Sequence, residues 1–244
     1  MLRWVAMAVV VLCVGCTTDA PVTESTDHNL PLDGQVTLNG ETIRYAVPEG
    51  TCKLDPERPM ERFFYDTLSQ VVEGDGELFA LFVKCDELDL LRTDLNGFEQ
   101  FKYFGGYFYP LDDDGNPAQV SMPRRTFAKM MTGMAAADAI ESGDKVAEKV
   151  GEVLADPSAA MTVQEFKSTG HTDDAAYFYF RSRNTTYETE FPVLGALSVT
   201  LVHEQIIGLT VVRLTDDPAD IDAANEDIRS ITTDFLAANP DSDN

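Results

Sequence analysis

Two apolar runs, 194–202 and 206–214, are joined by His203-Glu204-Gln205. As one stretch of more than about 20 residues they would be long enough to cross a bilayer core. The charged break and the alternation on either side make them a buried hairpin instead. That reading commits the last third of the chain to antiparallel pairing. Runs 163–167 and 176–183 read as further strands of the same set. Asp217-Pro218 then opens a closing helix that carries Ile221, Ala224, Ile228, Ile231 and Phe235 at helical spacing and stops near Asn239-Pro240.

The first part of the domain mixes the two periods. Residues 35–48 read as a hairpin turning on Asn39-Gly40, a strong short-range signal. A loop with Cys52 leads past Pro59 into a helix with Met60, Phe63, Phe64, Thr67, Leu68, Val71 and Val72 on one stripe. Gly74-Asp75-Gly76 ends it, and 78–83 is a short strand ending at Cys85, so that the three pieces read as a β-α-β unit. Residues 98–109 are aromatic and strand-like, with Gly105-Gly106 inside; 112–116 is an acidic turn. Ser121 and Pro123 open a helix with Phe127, Met130, Met131 and Met134 aligned, and 144–154 aligns Val146, Val150 and Val153. These two helices, over about 121–156, read as an insertion or lid. The expected fold is α+β: an antiparallel sheet covered by helices, in a single domain over 34–239 followed by a polar tail at 240–244.

This order resembles the PsbP-like domains of the Mog and DcrB type. The likeness rests on strand 42–48, helix 60–72 and the final hairpin plus helix over 194–239. It implies a sandwich with a helical insertion and an accessory or binding role rather than catalysis; a shared fold does not by itself establish a shared function.

The first residues have the three parts of an export signal: Arg3, an uncharged apolar run from Trp4 to Val14, then Gly15-Cys16 followed by Thr17, Thr18 and Asp19. At about 11 residues the run is too short to span a membrane core, which takes about 20. A small residue before a cysteine at the end of such a run resembles the lipobox of bacterial lipoproteins, although Cys13 stands where that motif usually has Leu. The resemblance implies cleavage of 1–15, acyl chains such as palmitate on Cys16, and membrane attachment through lipid; two or more chains make the anchor stable. Residues 16–33, rich in Thr, Asp, Glu, Pro and Ser, read as a flexible tether. In the manner of Gram-negative lipoproteins, Thr17 directly after the cysteine favours the outer membrane, facing the periplasm. The alternative is an ordinary cleaved leader and a soluble periplasmic protein.

Four cysteines then divide by compartment. Cys13 leaves with the signal and Cys16 takes lipid, so Cys52 and Cys85 remain as a pair where disulfides persist. A bond between them would close a loop of about 33 residues and stabilise by roughly 3–4 kcal/mol. The alternative is two buried free thiols.

The formal net charge is −24, and loss of Arg3 with the leader would make it −25. Such a surface repels phosphates, which excludes nucleic acid as a partner and disfavours docking on anionic headgroups. Of the histidines, His28 falls in the tether, whereas His171 and His203 sit in turns beside carboxylates. If those turns met, a metal or hydrolytic site would follow. Exposed turn histidines are the plainer reading. Asp112-Asp113-Asp114-Gly115-Asn116 lacks the terminal acids of a calcium loop, with Pro110 and Ser121 where they would stand. Asn184-Thr185-Thr186 fits a glycosylation sequon by chance. Tyr177 and Tyr179 share one strand face, opposite Phe178 and Phe180. With Tyr107 they would line a ligand-binding groove, unless they lie beneath the inserted helices as core. No cofactor is called for. The function expected is a lipid-anchored, non-enzymatic accessory or binding domain for an envelope protein or small ligand; the alternative is a tethered hydrolase or metal-dependent enzyme using His171 and His203.

Overall fold

The computed structural model describes residues 33–72, 75–93, 102–133, 158–186 and 188–240, with 148 and 152 besides. The expected leader and lipobox, the expected tether up to its last residue, and nearly all of the expected helix at 144–154 lie outside the described residues. The elements are β1 (Asp33–Leu38), β2 (Glu41–Ala46), β3 (Thr51–Lys53), α1 (Pro59–Val72), β4 (Gly76–Lys84), α2 (Cys85–Thr93), β5 (Tyr103–Pro110), α3 (Arg124–Thr132), β6 (Ala160–His171), β7 (Ala175–Thr186), β8 (Thr189–Val202), β9 (Gln205–Arg213) and α4 (Ala219–Ala238).

Seven strands form one antiparallel sheet in the order β3-β4-β5-β9-β8-β7-β6. The expected 194–214 hairpin is its centre: β8 and β9 pair from Leu194↔Arg213 to Val202↔Gln205. β8 is buried from Val193 onward, β9 along nearly its whole length and β5 beside them throughout. That explains why these segments read as unbroken apolar runs, a pattern typical of strands covered on both faces. The β1–β2 pair forms a separate two-stranded sheet, turning on Asn39 and Gly40, both at positive φ.

Side chains alternate between two cores. On one face Phe104, Phe108, Phe178, Phe180 and Leu197 meet Phe64 and Leu68 of α1, Leu88 of α2 and Phe127 and Met131 of α3. On the other, Tyr107, Tyr177, Ala196 and Leu209 meet Ile43 and Tyr45 of the hairpin and Ala224, Ile228 and Phe235 of α4. The sheet therefore lies between two covering layers. Gly208 and Gly195 let aromatic rings lie flat against the middle strands: a Cβ on either would collide with the ring of Phe108 or Phe180. The expected stripes hold in part. Phe64, Leu68 and Val72 are buried, but Phe63 is 37% exposed and Met130 is 42% exposed.

Both outer strands are blunted. β6 carries two register shifts, at Val163/Glu165 and Ser168/Gly170, which twist an edge away from flat pairing. β4 extends beyond the three residues of β3, and there the Leu54 N–H bonds the Leu81 carbonyl at 2.9 Å and the Tyr65 hydroxyl donates to the Leu78 carbonyl at 2.8 Å. Cys52 lies on β3 rather than in a loop, and β3 runs antiparallel to β4, so the expected β-α-β unit is an antiparallel pair with α1 between its strands.

Candidate functional site

Tyr107 and Tyr177, expected to line a groove, are 1% and 3% exposed. This corrects the groove reading for those two residues: they are core side chains covered by the hairpin and α4, whereas α3 packs into the opposite core. Tyr107 packs on Tyr45, Phe79, Phe82 and Phe235, and its hydroxyl donates to the Ala46 carbonyl at 2.7 Å. The Arg229 guanidinium of α4 lies 4.1 Å from the centre of the Tyr177 ring. Tyr179, two residues on, is half-buried beyond that cover, opposite Lys167 on β6. Burial favours the neutral phenol over the charged phenolate, so the hydroxyls of Tyr103, Tyr107, Tyr109 and Tyr177 are all held above the ordinary tyrosine value. At Tyr109 the hydrogen bond to the Glu77 carboxylate pushes the same way.

The two turn histidines lie at one end of the sheet but do not converge. His171 stands in a row with Ala176 and Val199 across β6, β7 and β8, and His203 follows four residues after Val199. With strands about 4.8 Å apart and a rise of about 3.3 Å per residue, their backbones are on the order of 16 Å apart. Between them the pairs Arg124–Asp174 (3.6 Å) and Arg125–Asp173 (3.0 Å) join α3 to the β6–β7 turn. The His171 Nδ1 bonds the neighbouring Thr172 carbonyl at 2.9 Å. Among the described residues no group of three or more His, Cys, Asp or Glu side chains is arranged to hold a metal ion.

His203 and Glu204 both have positive φ, a conformation in which side chains are uncommon and which costs strain. The turn is held from outside: Val120 N–H bonds the Glu204 carbonyl at 2.8 Å and Ser121 Oγ bonds the Glu204 carboxylate at 2.7 Å. Asn39 joins the same junction, its amide donating to the Pro117 carbonyl at 3.0 Å and to the buried Gln205 side chain at 2.9 Å. The acidic turn closes on itself, with Asp112 Oδ1 accepting the N–H groups of Asp114 and Asn116. Asn184 of the sequon is buried and bonded to Ser182, so its amide does not face solvent.

The remaining cluster joins a disulfide expected from the sequence to an ion pair that was not. Cys52 and Cys85 form a disulfide with Cα atoms 4.9 Å apart, as the cysteine count led us to expect. Cys85 is the first residue of α2, and Arg92 in the last turn of α2 bonds the carboxylate of Glu61 at 2.8 Å. Glu61 belongs to the first turn of α1, is 1% exposed, and also accepts the Asp55 N–H at 2.7 Å. In the first turn of α2, Glu87 accepts the Tyr103 N–H at 3.2 Å; burial raises its carboxyl above the ordinary value. The sequence signals were present, with Asp86 and Glu87 in the first turn and Arg92 in the last, as the helix dipole favours.

Compared with known protein families, with curated proteins and with solved structures, the chain matches none.

Proposed function

We propose that the chain is an exported, lipid-anchored envelope protein whose α+β domain serves as a non-enzymatic accessory or binding module. The observation that carries the address is the Cys52–Cys85 disulfide. Such bonds persist outside the reducing cytosol, which fits the export signal and the lipobox-like Gly15-Cys16. Cys16 takes the lipid, the domain begins shortly after the polar segment at 16–33, and the anchor faces it into the periplasm from the outer membrane.

The binding role draws on how the polar side chains are used. Tyr107 serves the hairpin, Arg229 covers Tyr177, Arg92 neutralises Glu61, and Ser121 and Asn39 hold strained or buried turns. These groups tie layers together, and a domain so arranged meets its surroundings through its surface. The partner is an envelope protein or a small ligand. The acidic surface favours a basic or neutral one over nucleic acid.

Crosslinking in intact cells tests this reading, comparing the wild type with Cys16→Ala. We expect a specific crosslinked partner or ligand that is weakened when the anchor is removed. The same diffuse background from both proteins would count against the proposal.

A further inference from the structure

We propose that α2 is a redox-gated element: the Cys52–Cys85 bond and the Glu61–Arg92 ion pair clamp its two ends to one short stretch of chain, and reduction of the disulfide releases it while the sheet stays folded. The observation is a closed ring. Cys52 on β3 is bonded to Cys85 at the start of α2; Arg92 at the end of α2 is paired with Glu61 at the start of α1; and Glu61 leads back through 54–60 to β3. One clamp is covalent and the other ionic, and both close on the segment from Cys52 to Glu61.

Topology makes the release local. α2 lies in the connection between β4 and β5, which pair directly with each other from Gly76↔Pro110 to Val83↔Phe104. Freeing the connection removes no strand from the sheet. Among the described residues its other holds include Leu88, buried in the core, the Glu87 carboxylate, which accepts the Tyr103 N–H, and the Cys85 N–H, which bonds the Gly50 carbonyl at 3.3 Å. At nine residues the helix is too short to persist in water without those contacts. The two clamps also differ in what they leave behind. Once Cys85 is free, holding Arg92 against Glu61 must overcome the chain entropy of the whole helix. Meanwhile Glu61 keeps the Asp55 N–H and the Arg58 guanidinium 3.9 Å away.

Both sulfur-bearing residues are partly exposed, so a dithiol reductant can reach them. A thiolate of the dithiol attacks one cysteine sulfur, the Sγ–Sγ bond breaks, and a mixed disulfide forms. The second thiol then displaces the protein cysteine. Two electrons and two protons pass to Cys52 and Cys85, and the dithiol leaves as its own disulfide.

Native-state hydrogen exchange on the full chain, oxidised and after treatment with dithiothreitol, tests the proposal. Local release makes reduction speed the amides of α2 by about 100-fold more than those of β8 and β9. A difference of about tenfold or more supports the gate. A smaller difference, with α2 and the central strands accelerating together or not at all, overturns it, because the bond would then be an ordinary staple of the whole domain. Circular dichroism of the reduced protein guards the reading: loss of the sheet signal on reduction also overturns it. The Cys52→Ser/Cys85→Ser protein, measured without reductant, should reproduce the reduced pattern.

Discussion

Asn239 bonds both backbone groups of Arg44: its Nδ2 donates to the Arg44 carbonyl at 2.6 Å and its Oδ1 accepts the Arg44 N–H at 2.9 Å. The side-chain amide thereby stands in for one more strand residue along the edge of β2. The same Nδ2 also donates to the Phe235 carbonyl near the end of α4, at 2.8 Å. A lone two-stranded hairpin is marginal in water. Here the end of the last helix holds the first hairpin in place, across a sequence separation of 195.

Asn239→Ala should therefore cost about 1–3 kcal/mol, because the buried Phe235 carbonyl and the part-buried Arg44 backbone groups lose their partner. Asn239→Asp should cost more, since a carboxylate would then face two carbonyls in place of the donating amide. Urea unfolding of the two variants gives the order, and an unchanged midpoint for both would show that the hairpin is held by other contacts.

Arg92→Met takes from the buried Glu61 carboxylate its nearest cation and leaves it the Asp55 N–H and the Arg58 guanidinium 3.9 Å away, and we expect a loss of about 2 kcal/mol. Adding Glu61→Gln should restore a large part of that loss, because the charge in need of a partner is then gone. A double-mutant cycle measures the coupling; additive losses would mean that the two side chains do not interact.

Gly208→Ala places a Cβ in the space of the Phe108 ring on a central strand. The expected cost is about 1–3 kcal/mol, the usual range for overpacking. Phe108→Leu in the same chain should relieve it. Thermal unfolding of the single and double variants distinguishes this steric cause from a loss of backbone freedom, which the second substitution would not repair.

The tyrosines set an alkaline limit. The phenol of Tyr65 is pushed up from 10.0 to about 12 by burial, and those of Tyr103, Tyr107 and Tyr109 are raised further by the same cause. The folded chain thus keeps protons that the unfolded chain loses near pH 10. Each of these groups contributes stability that is whole below pH 10 and is lost as pH rises through its folded value, about 12 for Tyr65. Phenolate absorbance followed together with circular dichroism should rise cooperatively with unfolding above pH 10. A smooth titration of all the tyrosines with the fold intact would contradict this.

Local signals carried much of the fold. Asn39-Gly40, the two runs around His203 and Asp217-Pro218 each announced an element that the structure contains, because turn chemistry and alternation act within a few residues. Two kinds of feature escaped. Short elements did: β3 has three residues, and α2 follows β4 without a break, so its nine residues offered little periodicity to read. Long-range neighbours did as well. The pairing of β5 with β9 joins segments about a hundred residues apart, and nothing local states it. The fate of the tyrosines turned on this second kind. Alternation placed Tyr177 and Tyr179 on one face, but the packing of α4, Arg229 included, leaves the first buried and the second half-exposed. The Glu61–Arg92 pair was hidden for both reasons.

The central claim is a disulfide-bonded domain tethered by lipid at Cys16. It is tested most directly by the intact mass of the protein extracted from host membranes, with and without reduction before thiol alkylation. We expect a chain that begins at Cys16 and carries acyl chains, with Cys52 and Cys85 alkylated only after reduction. An unlipidated chain recovered from the soluble fraction would contradict the anchor, and alkylation of both cysteines without reduction would contradict the bond.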